Sequence, residues 1–206
     1  MIYKKFITFE GGEGSGKSTQ IKLLAKKIAK TSDVCLTREP GGTASAEEIR
    51  KLLVRGKADK WSSVSELLLL FAARKDHIDK LILPSLKSNK WVLCDRFVDS
   101  TYVYQGMCGK TSLDIIKKIE KVVIGQFKPQ LTFLININPK IGIQRSKRPG
   151  NKDLRYENMD MKFHNKVYKS YLRHASLNKR RITMIDGSKS ITDIENEIWE
   201  KVKNKI

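Results

Sequence analysis

The chain has 206 residues, of which 40% are hydrophobic and 31% charged, so it is long enough for one domain with an ample core. Its longest apolar run, Leu67 to Ala73, is too short to cross a bilayer, and no secretory signal precedes the first predicted strand. The formal net charge of +19 is spread along the whole chain rather than gathered in one arm, so we expect neither a nucleic-acid nor a membrane partner.

The first predicted strand, Phe6–Glu10, runs into a glycine-rich loop and then into a predicted helix over Lys17–Lys30. The loop is a Walker A sequence, in which glycines let backbone N–H groups surround phosphate oxygens. The helix N-terminus attracts the same anions, Lys17 can reach the β- and γ-phosphates, and the Ser18 hydroxyl can ligate Mg²⁺. The alternative is a tight strand-to-helix turn without a ligand. The candidate nucleotide-binding residues are Gly11, Gly12, Glu13, Gly14, Ser15, Gly16, Lys17, Ser18 and Thr19.

The second predicted strand, Val34–Thr37, is followed by Arg38, Glu39 and a Pro-Gly-Gly turn. The turn itself needs only the proline and the glycines, so the charged pair of Arg38 and Glu39 beside it indicates a further role. We interpret Arg38 as a phosphate clamp, and Glu39 as a group that positions Arg38 or a metal-bound water. A helix is predicted next, over Ala44–Val54.

A long predicted helix, Ser65–Leu86, carries an apolar stripe that Arg74 interrupts. Phe71 lies three residues before Arg74, so the two side chains project side by side. An aromatic ring that stacks on a base and a guanidinium that donates to its edge form a workable recognition pair. The alternative is a core phenylalanine beside an arginine that extends to solvent.

The third predicted strand, Trp91–Cys94, ends at Asp95 and Arg96. A P-loop enzyme needs a carboxylate near its Mg²⁺, and Asp95 is the candidate, although many strands end in aspartate for reasons of turn geometry. Arg96 can form a bidentate contact with phosphate or, alternatively, a surface ion pair.

The next segment, Asp99–Gly106, is predicted to begin a helix at the same edge of the sheet. Its polar side chains can read a base or a sugar, or the hydroxyls can serve only as helix caps. The candidates are Ser100, Thr101, Tyr104 and Gln105.

The second half of the chain continues the alternation. The predicted elements are helices at Leu113–Gly125, Pro139–Ser146, Asp160–Ser176 and Ile191–Lys203, and strands at Leu131–Ile137 and Arg181–Ile185. A cation-rich segment with a Pro-Gly break is interpreted as a mobile lid over about residues 146–157, which would close Arg148 and Arg155 over phosphates. The alternative is an exposed charged loop.

This alternation predicts an α/β fold in a single domain over residues 1–206, with five parallel strands and helices on both faces. Ligands in such folds bind beyond the carboxyl ends of the strands, where the candidate residues lie. The three cysteines, Cys35, Cys94 and Cys108, form no metal-binding spacing and indicate a reducing compartment, so we expect the cytoplasm.

In combination, these segments resemble bacterial thymidylate kinases over nearly the whole chain, from about residue 5 to about residue 190. The matching segments are Phe9–Gly11, the Walker A loop, Thr37–Gly42, Phe71–Arg74, Asp95–Phe97 and Ser100–Gly106. The resemblance implies a nucleoside-monophosphate-kinase fold and transfer of the ATP γ-phosphoryl group to dTMP with Mg²⁺, in dTTP biosynthesis. It also implies a homodimer.

Carried over by position, the resemblance assigns the Walker A loop to ATP, and Arg38 and Arg96 to the dTMP phosphate. It assigns Phe71 to stacking on thymine and Arg74 to donation to the base. The wall around base and sugar is assigned to Ser100, Thr101 and Tyr104, and the sugar or metal region to Glu13. The P-loop contains no arginine, so the chain resembles those members of the family that have arginines in the lid. Those members often have Asp-Arg in the lid, where this chain has Leu154-Arg155.

The candidate catalytic residues are Lys17, Arg38, Asp95, Arg96, Arg148 and Arg155, with Ser18 and Asp95 as Mg²⁺ ligands. Two alternatives remain from the residues. One is a kinase for another nucleoside monophosphate or for a deoxynucleoside, and the other is a P-loop ATPase that binds nucleic acid.

Overall fold

The computed structural model describes residues 2–56, 60–146, 156 and 159–205. The strands are β1 Ile2–Glu10, β2 Val34–Arg38, β3 Trp91–Asp95, β4 Lys128–Asn136 and β5 Ile182–Asp186. The α-helices are α1 Lys17–Ile28, α2 Ala44–Val54, α3 Ser63–His77, α4 Leu83–Lys87, α5 Val98–Thr101, α6 Leu113–Val123, α7 Pro139–Ser146, α8 Met161–Leu177 and α9 Ile191–Val202. Short π-helical segments cover Ile78–Ile82 and Tyr102–Met107, and a 3₁₀ turn covers Lys203–Lys205. Arg148, Arg155 and most of the predicted lid lie outside the described residues.

All five strands are parallel and lie in the order β2-β3-β1-β4-β5, which confirms the predicted sheet. The central strand β1 pairs Phe9 with Asp95 of β3 on one side and with Phe133 of β4 on the other. The segments that follow β1, β2 and β3 therefore leave the sheet at the same edge.

Helices cover both faces of the sheet, because neighbouring strand residues point in opposite directions. Ile7 and Phe9 pack in one core cluster with residues of α1 and α9. Phe6 packs on the opposite face with residues of α3 and α6. A third cluster joins Leu134 to residues of α8. The prediction of helices on both faces is confirmed.

The long helix predicted over Ser65–Leu86 is observed as a continuous helical run from α3 through a π-helical segment into α4. Pro84 explains the change of hydrogen bonding, since its nitrogen cannot donate to the carbonyl four residues earlier. Just before it, the N–H of Leu83 donates to the carbonyl of Ile78, five residues back.

Within the described part of the chain, no helix is both long and apolar enough to span a membrane.

Candidate active site

A cleft of about 1070 Å³ lies at the carboxyl ends of β1, β2 and β3. It brings together residues that the sequence places in five separate segments. The predicted site residues that line it are Glu13, Gly14, Ser15, Gly16, Lys17, Ser18, Thr19, Arg38, Arg74, Asp95, Arg96, Ser100, Thr101, Tyr104 and Gln105. Gly11 and Gly12 form the base of the loop and contribute backbone carbonyls rather than cleft surface.

The glycine-rich loop depends on its glycines at two kinds of position. Gly16 takes a φ of 95° immediately before α1, a conformation that L side chains rarely adopt. At Gly14 a Cβ would collide with the carbonyl oxygen of Gly142 on α7. The loop is thus held against α7 with its N–H-rich helix start at the cleft, as an anion site requires.

Lys17 is the buried cation of this loop. Its ammonium donates to the Gly11 and Gly12 carbonyls at 3.1 and 2.9 Å and contacts Ser15 Oγ at 3.4 Å. Burial lowers the pKa of Lys17, and Arg96 lowers it further, while nearby carboxylates act in the opposite direction. The loop therefore fixes a single positive charge at the point where the predicted phosphates would lie.

Two oxygen donors mark the predicted metal position. The Ser18 hydroxyl donates to Asp95 Oδ2 at 2.9 Å, and both residues line the cleft. Among the described residues no group of three metal-ligating side chains occurs. Mg²⁺ commonly uses one or two protein oxygens and takes its remaining ligands from water and phosphate, so these two residues fit that ion.

Arg96 occupies the wall of the cleft that faces the loop. Its backbone has a φ of 66°, and its Nη2 donates to Glu13 Oε1 at 2.7 Å. Nη1 donates to Ser100 Oγ at 3.2 Å and to Tyr171 Oη at 3.0 Å, and the guanidinium lies 5.1 Å from the centre of the Tyr104 ring. Four groups thus define the orientation of this guanidinium.

Glu13 forms an ion pair with Arg96 and so links the glycine-rich loop to the residue that follows β3. Burial alone would raise the pKa of Glu13, but Arg96 and Lys17 lower it below its ordinary value. Its Oε1 also accepts from the Tyr104 hydroxyl at 3.3 Å. The carboxylate is therefore charged and balances Arg96 in this structure.

Arg38 is paired with Glu47 on α2, not with Glu39 as the sequence suggested. The pair is bidentate, at 2.6 and 3.1 Å, and Glu47 Oε1 also accepts from the N–H of Gly42 at 2.9 Å. The hydrogen bond from Arg38 lowers the pKa of Glu47 to about 2. Glu47 is close enough because it lies in the first turn of α2, which begins at Ala44 after the Thr43 cap and so follows the end of β2 closely.

Arg74 is buried to 3% exposure, although it lines the cleft. Its Nε donates to Glu39 Oε2 at 2.7 Å, and its Nη2 donates to Thr101 Oγ1 at 3.1 Å. Nη1 has no hydrogen-bond partner in the described part of the chain. A buried donor without a partner is costly, so this nitrogen has a hydrogen-bonding capacity that the described residues leave unused.

Phe71 is not brought to the cleft, contrary to the sequence expectation that its ring stacks on a base. It is 1% exposed, belongs to the core cluster beneath the cleft, and lies 4.9 Å from the guanidinium carbon of Arg74. The neighbouring Leu70 lines the cleft instead. Successive helix residues differ by about 100° in direction, and the packing of α3 turns Leu70, rather than Phe71, outward.

Gln105 lies in a hydrogen-bonded group with Glu66 and Tyr156. Its Nε2 donates to Glu66 Oε1 at 2.7 Å and to the Tyr156 hydroxyl at 3.1 Å. The Tyr156 hydroxyl in turn donates to Glu66 at 2.8 Å. All three residues line the cleft, so this group forms one side of the space beside Arg74.

Several residues that complete the site were missed by the sequence interpretation. They are Glu10, Glu47, Glu66, Tyr156, Tyr171 and His77, whose ring nitrogens contact Glu39 at 3.2 Å and Thr37 at 2.7 Å. Glu10 stands directly before the Walker A loop, which was an available signal. Tyr156 lies in the segment predicted as a lid, but only its arginines were singled out. The others lie on helices or faces with no motif, so nothing local marked them.

A protein-family model described as "Thymidylate kinase" matches residues 9–198. A thymidylate kinase of Bradyrhizobium sp. is 42% identical, with 98% of this chain and 91% of that protein covered, and one of Caulobacter vibrioides is 43% identical, with 98% and 97% covered. The crystal structure of a thymidylate kinase from Ehrlichia chaffeensis superposes with a TM-score of 0.79 at 35% identity, covering 96% of this chain and 97% of that one. The predicted P-loop nucleoside-monophosphate-kinase fold is thereby confirmed, and the chain belongs to the thymidylate kinase family, which phosphorylates dTMP.

Proposed function

We propose that this member of the family transfers the γ-phosphoryl group of ATP to dTMP, with Mg²⁺, and so gives ADP and the dTDP needed for dTTP biosynthesis. The observation that carries this assignment is a single cleft lined by the Walker A lysine, Lys17, and by the guanidiniums of Arg38 and Arg96. Donor and acceptor phosphates both carry negative charge, and these cations neutralise the repulsion between them.

On the donor side, the loop from Gly11 to Thr19 holds the ATP phosphates and Lys17 supplies the fixed cation. The hydrogen-bonded pair of Ser18 and Asp95 supports a role as the Mg²⁺ ligands. When bound, that ion neutralises charge on the phosphates and orients them.

On the acceptor side, we assign the dTMP phosphate to Arg38 and Arg96 and the base to Arg74. The unpartnered Nη1 of Arg74 supports contact with a base carbonyl. The space for base and sugar is bounded by Leu70, Ser100, Thr101, Tyr104 and Gln105.

A phosphorylation assay across dTMP, dUMP, dCMP, dGMP and thymidine tests this function. We expect the highest kcat/KM with dTMP and loss of turnover when Mg²⁺ is removed by a chelator. Comparable or better turnover of any competitor would remove the assignment to dTMP. ATP hydrolysis that depends on DNA and falls steeply with salt would instead favour the nucleic-acid alternative.

We also propose that the chain forms a homodimer through α2 and α3. These helices pack on each other and expose apolar side chains, with Leu52, Val64 and Leu68 at 42%, 44% and 53% exposure. Burial of such a face stabilises association in proportion to the apolar area removed from water.

Leu68→Glu is expected to convert the dimer to a monomer, because it places a charge in the centre of that face. Light scattering coupled to size-exclusion chromatography measures the mass. Leu177→Glu, at an apolar side chain 71% exposed near the end of α8, is the matched control and should leave the mass unchanged. A monomeric parent chain, or a dimeric Leu68→Glu variant, would contradict this interface.

The cytoplasmic location and the single domain over residues 1–206 rest on the sequence pattern alone and stay proposals.

A further inference from the structure

Glu10 is a buried carboxylate that stands behind the cleft rather than in it. It is the last residue of β1, immediately before the Walker A loop, and is 1% exposed. Burying a charge without compensation is costly, so a carboxylate here requires a reason. Its contacts supply one.

Four donors meet the two oxygens of Glu10. Oε1 accepts from the backbone N–H groups of Phe97 and Ser100 at 2.8 and 3.3 Å. Oε2 accepts from the Ser100 hydroxyl at 2.6 Å and from the Tyr171 hydroxyl at 3.0 Å. Only an ionised carboxylate, which accepts at both oxygens and donates at neither, satisfies all four.

Both hydroxyls lie within hydrogen-bond distance of Glu10 Oε2, and the two hydroxyl oxygens also lie 2.9 Å from each other. A hydroxyl has one proton, and the ionised carboxylate is the strongest acceptor that either hydroxyl contacts, so we infer that both protons are directed to Glu10. Their lone pairs are then turned towards Nη1 of Arg96, at 3.2 and 3.0 Å. The ionised Glu10 thus polarises the two hydroxyls, and their oxygens become stronger acceptors for Nη1 of Arg96.

We propose that Glu10 is a positioning residue for Arg96. Through Ser100 and Tyr171 it fixes the Nη1 side of the guanidinium, so that Arg96 stays directed into the cleft for the phosphate of the acceptor nucleotide. This inference rests on the role proposed above for Arg96.

The charge state of Glu10 makes the relation dependent on pH. Burial and the neighbouring Asp99 raise the pKa of Glu10 to about 6, although Arg96 and the hydrogen bonds oppose the shift. Lys17 faces Glu10 from α1, and Arg181 faces it from the segment before β5. Because the pKa is raised, the ionised form is present above about pH 6 and is lost as pH falls through that value.

Glu10→Gln tests the proposal with little change of shape. The amide oxygen can still accept from the backbone, but the amide nitrogen donates, so it cannot take the protons of both hydroxyls. We expect the KM for dTMP at about pH 8 to rise by about 10-fold, and the KM for ATP to change by less than about twofold. Tyr171→Phe removes one of the two hydroxyl oxygens that accept from Nη1 of Arg96. We therefore expect a smaller rise in the KM for dTMP.

Glu200→Gln is the matched control, since it makes the same chemical change at an exposed glutamate of α9 that pairs with Lys203 and does not line the cleft. It should leave both KM values unchanged. Thermal unfolding of each variant shows that it is folded. If Glu10→Gln does not fold, Tyr171→Phe alone decides, and an unchanged KM for dTMP in that variant overturns the proposal.

The pH profile separates positioning from a purely structural role. The phosphate of dTMP also ionises near pH 6, but it is common to both enzymes, so the ratio of variant to parent KM reports the protein group. We expect that ratio to fall towards one between about pH 8 and about pH 5.5. A ratio that stays constant over this range overturns the proposal.

Arg96→Asn distinguishes this proposal from the underlying assignment, and asparagine tolerates the positive φ at that position. If Arg96→Asn leaves the KM for dTMP unchanged, the phosphate-clamp role itself is wrong. If Arg96→Asn raises the KM and Glu10→Gln does not, only the positioning role is overturned.

Discussion

Lys17→Met is expected to lower kcat for dTMP phosphorylation by about 10²- to 10³-fold, as removal of one charged donor from a buried site costs about 3–4 kcal/mol. Methionine keeps the unbranched apolar stem of the side chain but lacks the terminal ammonium that the loop holds where the phosphates are predicted to bind. Steady-state kinetics with ATP and dTMP varied separately measures the effect. The KM for dTMP should change much less than kcat, because Lys17 lies on the donor side.

Lys22→Met provides the matched control for that experiment. Lys22 lies one turn further along α1 and is exposed, so its replacement changes the same net charge at a distance from the cleft. It should retain parental kcat. A Lys17→Met enzyme with nearly parental turnover would show that the loop lysine does not act on the transferring phosphate.

Arg74→Met is expected to have the largest effect on stability, because it removes the arginine that is paired with Glu39, a carboxylate buried at 4% exposure. Removing one member of a buried ion pair costs about 3–5 kcal/mol. The KM for dTMP should also rise by about 10- to 100-fold, the value of a hydrogen bond from a charged donor.

A second substitution separates these two effects. Adding Glu39→Gln to Arg74→Met removes the uncompensated charge, so stability measured by chemical denaturation should largely recover. Recognition should not recover, because Nη1 of Arg74 is still missing. Lys75→Met, at an exposed neighbour on α3, is the control. A double variant that binds dTMP like the parent would show that Arg74 supports the fold and does not contact the base.

The sequence was sufficient for the sheet and for most helix bounds because the relevant signals are local. Short apolar runs predicted five strands, and their alternation with amphipathic segments predicted parallel pairing. It was also sufficient to place Lys17, Arg38 and Arg96 at one edge, since each follows a strand of a parallel sheet. Their roles in catalysis are proposals, and the kinetic experiments test those of Lys17 and Arg96.

The errors arose where packing between distant segments decides the outcome. Leu70 and Phe71 lie on the same apolar stripe, and the spacing of Phe71 from Arg74 correctly predicted contact between them. Helical periodicity cannot tell whether the Phe71 ring lies on the cleft side or on the core side of Arg74. The packing of α3 against the sheet decides this, and it places Phe71 in the core.

The partner of Arg38 was missed for a related reason. Glu39 is adjacent in sequence, but adjacent residues diverge at a turn. Glu47 contacts Arg38 from the first turn of α2, after the chain has reversed through the intervening turn. Tyr171 reaches Arg96 from α8 in the same way, across 75 residues of sequence.

Each guanidinium assigned to the acceptor nucleotide already has its own counter-ion: Arg38 has Glu47, Arg74 has Glu39 and Arg96 has Glu13. A stray anion such as inorganic phosphate must therefore compete with resident carboxylates for every one of these cations. Inorganic phosphate gains little binding free energy when it replaces a carboxylate as the partner of a guanidinium. A nucleotide also makes contacts through its base and sugar, and these contacts offset the loss of the resident ion pairs. A chain with a net charge of +19 can in this way remain selective in a cell crowded with polyanions.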